Sequence, residues 1–96
     1  MLELQSSAEF DRWIDSLRDR RGRAKIYLRI QRLQLGNPGD VKPVGEGISE
    51  MRIDFGPGYR VYYMLKGQTI VLLLCGGDKS TQDKDIRRAA QIAAEW

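Results

Sequence analysis

Two arginines, two carboxylates and a phenol fall on one alternating set within a single stretch of this chain, Glu50 to Tyr63. Glu50, Arg52 and Asp54 alternate with Met51, Ile53 and Phe55. After Gly56, Pro57 and Gly58, Arg60 and Tyr62 alternate with Tyr59, Val61 and Tyr63. A strand repeats every two residues, so each set occupies one face. A guanidinium stays charged and can bind two phosphate oxygens at once. Arg52 and Arg60 on one face therefore suit an anionic substrate and the charge that develops when a phosphate is attacked. Lys79, just beyond the last apolar run, adds a third positive group. Asp54 or Glu50 is a candidate base, and Tyr62 a candidate proton donor. An unperturbed carboxylate or phenol titrates far from neutrality, so either needs surroundings that shift it. The plainer account is a solvated sheet face in which the carboxylates only anchor the arginines. With Gly56 to Gly58 as the loop, Asp54 stands opposite Arg60 and Arg52 opposite Tyr62. On the apolar face, Phe55 meets Tyr59 and Ile53 meets Val61.

The elements that must position these residues follow from periodicity. Leu2 to Gln5 reads as a short strand. Ser6 opens a helix, with Glu9 completing a capping box, and Phe10, Trp13, Ile14 and Leu17 form its apolar stripe. Arg18 to Gly22 breaks that pattern. A second helix runs from about Arg23 to Leu35, with Ile26, Ile30 and Leu33 as its buried stripe and Tyr27 beside it. Gly36 and Pro38 end it. The short connection between the helices predicts an antiparallel helical hairpin. Val41 to Val44 is a strand that Pro43 confines to an edge or an irregularity. The Gly-Pro-Gly hairpin follows. Thr69 to Cys75 is apolar on both faces, as a covered central strand is. Ser80 caps a final helix whose stripe is Ile86, Ala89, Ala90, Ala93 and Trp96. The expected fold is α+β: an N-terminal helical hairpin on a small, mainly antiparallel sheet, with a C-terminal helix.

The 96 residues suffice for one domain spanning 1–96. A composition 42% hydrophobic and 30% charged is that of a globular protein. The N-terminal residues lack the basic and apolar regions of a signal peptide, and no run is long enough to span a membrane. The single Cys75 is expected to be a buried thiol, consistent with a cytoplasmic protein. With no histidine, the commonest metal ligand and general base is missing, and neither a metal nor a cofactor is implied. The net charge of +3 hides a strong asymmetry, because eight cationic residues between Arg12 and Arg32 face only Asp15 and Asp19. Lys25, Arg29 and Arg32 repeat at helical spacing within that block. They are a candidate polyanion-binding stripe, set against the alternative of a solvated helix face.

Three stretches, Gly36 to Gly45, Gly56 to Tyr63 and Leu74 to Ser80, together with the layout of nearly the whole chain, resemble the RelE/ParE superfamily of bacterial toxin–antitoxin toxins. The likeness is greatest to HigB-like toxins, often labelled addiction-module killer proteins. The resemblance implies a RelE-like fold and a cognate antitoxin, joined with the toxin in a hetero-oligomer. Its first functional expectation is a cytoplasmic endonuclease that binds the ribosome and cuts mRNA. RelE-type toxins carry a Lys-x-Lys pair where Arg52 and Asp54 stand, an Arg where Arg60 stands, and an Arg where Lys79 stands. Their tyrosine near the last helix is replaced here by Asp85. The resemblance thus implies Arg52, Arg60 and Lys79 as the catalytic set. Asp54, Glu50 and Tyr62 stay further candidates on their chemistry, and the helical spacing of Lys25, Arg29 and Arg32 suits contacts to a polyanion, most simply ribosomal RNA. RNA can be cut without a metal when its own 2′-OH attacks the adjacent phosphate, provided the enzyme aligns the chain and neutralises the transition state. Tyr62 could also stack on a base. ParE-type inhibition of DNA gyrase, or nucleic-acid binding without catalysis, would use the same arginines.

Overall fold

The computed structural model describes residues 1–96. It runs β1 (Glu3–Ser6), α1 (Ala8–Ser16), α2 (Arg20–Gln34), β2 (Val41–Gly45), β3 (Ile48–Ile53), β4 (Tyr59–Lys66), β5 (Ile70–Asp78), a 3-10 turn (Lys79–Thr81) and α3 (Gln82–Glu95). The strands form one five-stranded sheet in the order β1-β5-β4-β3-β2. Helices α1 and α2 cover one face and α3 the other, so each face has its own apolar cluster.

The α+β class holds, but the expected N-terminal helical hairpin does not. The chain begins with a strand, and β1 pairs in parallel with β5, which makes the sheet mixed. Each helix has a single apolar stripe, and each stripe is used against the sheet. Phe10 and Ile14 of α1, and Ile26, Ile30 and Leu33 of α2, all pack into one cluster with Met51, Val61, Tyr63, Val71 and Leu73. Those stripes are used against the sheet rather than between the helices, while Tyr27 and Leu28 of α2 stay exposed. Helix α2 also starts earlier than its apolar pattern suggests. Asp19 caps it by accepting from the Gly22 N–H at 2.9 Å. Ser7, not Ser6, caps α1, and Glu9 instead reaches Arg88 of α3 at 2.8 Å.

The hairpin register differs from expectation by two residues. Ile53 pairs with Tyr59, Met51 with Val61, Arg52 with Arg60 and Glu50 with Tyr62. The loop is therefore Asp54 to Gly58, longer than the Gly-Pro-Gly triplet. Its positive-φ residues, Gly56 and Gly58, supply the tight backbone. A shift of two keeps every side chain on its expected face. It also takes Asp54 out of the ladder, so the expected Asp54–Arg60 pair does not form.

Strand β5 lies between β1 and β4, and Val71 to Cys75 are buried. A bulge where β4 passes from Tyr62 to Tyr63 puts Leu74 and Cys75 in the same α3-side cluster. The Ser7 hydroxyl donates to the Leu74 carbonyl there at 2.5 Å. Beyond the bulge, Gly76 lies against the Trp13 ring and Gly77 against Asp85, so neither position has room for a Cβ. Strand β2 is one of the two edge strands and is irregular between Pro43 and Gly45. Pro43 has no N–H to pair, which accounts for its place there. On α3 the buried residues are Ala89 and Ile92, while Trp96 is exposed.

Asp19 also accepts from the Tyr59 hydroxyl at 2.8 Å, which ties the hairpin to α2. The Gly22 N–H and the Tyr59 hydroxyl hold the Asp19 carboxyl below its ordinary value, and burial pushes the Tyr59 phenol up to about 12. A carboxyl whose pKa is lowered on folding stabilises the fold above its unfolded value. That contribution disappears as pH falls through the lowered value. Tyr59→Phe is therefore expected to melt below the wild type at pH 7, with the gap closing as pH is lowered through and below the ordinary carboxylate range. Thermal melts from pH 7 to pH 2.5 check this, and a constant gap would count against it.

Candidate functional site

An open cleft of about 530 Å³ lies at the end of the sheet where β3 turns into β4. Arg52, Arg60, Lys79, Asp54 and Asp40 line it together with the Gly-Pro-Gly turn. Arg52 is the last residue but one of β3 and Arg60 the second of β4, and they are direct cross-strand partners on one face. Like charges placed directly opposite destabilise a sheet. Only one of the two is compensated: Arg52 Nη2 lies 2.7 Å from Asp40 Oδ1, and its Nε also donates to that oxygen at 3.2 Å. The pair is well exposed on both sides, so it holds Arg52 in place for little net energy.

Arg60 has no carboxylate partner. Its Nη1 donates to the carbonyls of Gly58 and Tyr59 at 2.9 and 3.1 Å, which fixes the guanidinium against its own turn. Its Nε is buried and faces no acceptor. Gly58 makes this arrangement possible. Its φ of +79° suits glycine, and a Cβ there would crowd both Arg60 Nη1 and Lys79 Cβ at 3.3 Å. Tyr59 pairs with Asp78 and Arg60 with Gly77, which brings Lys79 to the cleft from the far side. Lys79 and Asp54 are exposed and enter no ion pair. The structure thus brings Arg52, Arg60, Lys79 and Asp54 together around one space.

Glu50 and Tyr62 lie elsewhere. Both are on the expected face of the sheet, but α3 covers that part of it, leaving Glu50 2% exposed and Tyr62 fully buried. Tyr62 donates to Glu50 Oε2 at 3.0 Å, and Gln82 Nε2, from the first turn of α3, donates to the same oxygen at 3.0 Å. Burial, followed by the Glu50 hydrogen bond, pushes the Tyr62 phenol far above its ordinary value. A proton donor for the cleft would need the opposite shift. The solvated face expected from alternation is therefore wet only at its β3–β4 turn end.

The basic stripe of α2 divides three ways. Arg29 is a clamp: Nη1 donates to the Arg52 carbonyl at 2.6 Å, and Nη2 to the carbonyls of Pro38 and Asp40 at 3.1 and 3.2 Å. It joins the α2–β2 loop to the end of β3 and so supports the cleft from behind. Lys25 stands over the Phe55 ring, 5.1 Å from its centre, and steadies the β3–β4 loop. Arg32 is exposed and has no partner. Asp40 and Gln82 were not singled out in the sequence. Their partners lie 12 and 32 residues away, beyond the reach of any local pattern. Cys75 is buried as expected, and burial pushes its thiol up to about 12.

Comparison with known proteins gives a family and a likeness of fold. A family model described as "Phage derived protein Gp49-like (DUF891)" matches residues 12–95. An uncharacterized protein of Haemophilus influenzae is 52% identical over 94 residues, covering 98% of this chain and 95% of its own. The solution structure of a conserved hypothetical protein from Helicobacter pylori superposes with a TM-score of 0.53 at 21% identity. It covers 83% of this chain and 97% of its own, a likeness of fold alone.

Proposed function

We propose, from the premise that this chain belongs to the Gp49-like phage-derived family, that it is a HigB-like, ribosome-dependent endonuclease that cuts mRNA without a metal. Membership of that family fits a toxin of RelE-superfamily type from a toxin–antitoxin module, with a cognate antitoxin as its partner. No helix is long and apolar enough to cross a membrane. The observation that carries the finer reading is Arg60: a fixed, half-buried guanidinium that lines the cleft with no carboxylate partner, beside two further cations. Such a group suits a phosphate that gains charge during reaction.

In this mechanism the RNA 2′ oxygen attacks the adjacent phosphorus, the P–O5′ bond breaks, and a 2′,3′-cyclic phosphate and a 5′-OH form. Asp54, the exposed carboxylate of the cleft, accepts the 2′ proton. Arg60 and Lys79 neutralise the phosphorane, and Lys79 carries the proton that goes to the leaving O5′. Arg52, held by Asp40, orients the chain. The ribosome supplies the in-line geometry that a shallow cleft does not impose. Lys25 and Arg32 face ribosomal RNA, and Arg29 keeps the cleft in shape.

The test is controlled expression without antitoxin, followed by mapping of mRNA 5′ ends. Codon-phased cuts in translated messages are expected. Cleaved DNA–gyrase complexes with intact messages would replace this reading with ParE-type inhibition, and normal growth would replace it with noncatalytic binding. Two charge reversals separate the roles on α2. Lys25→Glu with Arg32→Glu is expected to weaken ribosome association and flatten its salt dependence, with only a small drop in melting temperature from the lost Lys25–Phe55 contact. Arg29→Glu is expected to lower the melting temperature by itself, because three carbonyls lose their donor. Unchanged association across a salt series would remove the α2 contact.

A further inference from the structure

A second groove, of about 410 Å³, opens along the start of α3. No apolar residue lines it, and Lys79, Lys84 and Arg87 oppose the single carboxylate of Asp83. Lys84 and Arg87 are three residues apart on α3 and so share a side of the helix. None of the three cations enters an ion pair. Lys79 lines both this groove and the cleft of Arg52 and Arg60, so the two cationic spaces adjoin at that residue.

The groove is also rigidly placed. Asp78 accepts from the Ser80 N–H at 2.8 Å, and Thr81 donates to Asp85 at 2.6 Å. Gln82 bonds Glu50, whose carboxylate is buried against Tyr62 with no cation beside it. A buried carboxylate is costly to keep. Here it seats the first turn of α3 on β3 and β4, and so sets where Lys84 and Arg87 stand relative to the cleft.

We infer that the groove of Lys79, Lys84 and Arg87 is a second phosphate subsite for a single-stranded RNA whose cut phosphate lies in the neighbouring cleft. This rests on the RNA-cutting reading above, and it makes the substrate a polynucleotide rather than one phosphodiester. A protein partner fits the groove poorly, because affinity between proteins concentrates in buried aromatic and apolar anchors and none lines it. A nucleic-acid backbone needs only cations and an open, wettable path.

The experiment compares the wild type, Lys84→Gln/Arg87→Gln and Arg60→Ala, each first shown to melt like the wild type. The probes are a 2′-O-methyl RNA octanucleotide, which cannot be cut, and a dinucleoside monophosphate, across a salt series. The double variant is expected to bind the octanucleotide about tenfold more weakly. Its log K against log salt slope should be shallower by about 0.7, the contribution of one contacted phosphate of a single strand. Its affinity for the dinucleotide should not change, and Arg60→Ala should weaken both probes. Unchanged octanucleotide affinity and slope in the double variant, with Arg60→Ala still weak, would overturn the subsite and leave the cleft standing. Arg60→Ala binding both probes normally would overturn the cleft itself and the subsite with it. Equal loss of both probes in the double variant, or equal affinity for duplex DNA of the same length, would also overturn the proposal.

Discussion

Arg60→Ala is expected to abolish toxicity and leave the fold intact. The loss follows from its position: it is the one cleft arginine with no carboxylate partner, and its own turn holds it at the cleft. Losing one transition-state contact of this kind typically costs about 10²-fold or more in rate. The effect on stability has terms of both signs. The substitution removes the hydrogen bonds from Nη1 to Gly58 and Tyr59, worth about 1–2 kcal/mol each. It also removes a buried unpaired donor and the repulsion of Arg52 directly across the hairpin. These changes oppose one another, so the melting temperature should move by only a few degrees. The rival structural account, an ion pair with Asp54, has no counterpart in the fold. Arg60→Lys keeps the charge but loses the two-pronged geometry, so it should be impaired too. The measurements are growth on induction, message cleavage per folded molecule, and a thermal melt. Full toxicity from a normally folded Arg60→Ala protein would remove the site.

Leu73→Asp is expected to prevent folding altogether. Leu73 is 2% exposed on the helix-facing side of β5, between Ser6 of β1 and Tyr63 of β4. Its carbonyl accepts from the Ser7 N–H at 2.9 Å, at the junction of β1 and α1. A carboxylate there meets only Phe10, Ile14 and the other side chains of that cluster. An unpaired buried charge costs at least several kcal/mol, against a total stability of about 5–15 kcal/mol for a domain of this kind. Leu73→Ala provides the graded comparison. It should lose about 2–5 kcal/mol, remain cooperative and melt well below the wild type. Solubility and circular-dichroism melts decide the matter. A soluble, cooperatively melting Leu73→Asp protein would show that β5 is not the centre of the core.

The sequence by itself determined the local elements and the face each residue takes. Periods of two and 3.6 residues are set by backbone geometry, so they placed Arg52 and Arg60 on one face of a hairpin before any contact was known. The same logic found the doubly apolar β5, the stripes of α1 and α2, and the glycine stop after α2. Parity survives a register shift of two, which is why the faces were right although the cross-strand pairs were not.

Only the tertiary structure decided which of those residues meet and which are hidden. The loop length depends on anchors far away in the chain, Asp19 to Tyr59 and Lys25 to Phe55, and these set the register. The parallel pairing of β1 with β5 joins residues 3–6 to residues 70–73, and no local pattern encodes it. Glu50 and Tyr62 share their face with Arg52 and Arg60, yet α3 buries the first two and leaves the others at an open cleft. Alternation fixes a direction relative to the sheet. What lies in that direction depends on where a helix more than 20 residues further along comes to rest, and that is a matter of packing.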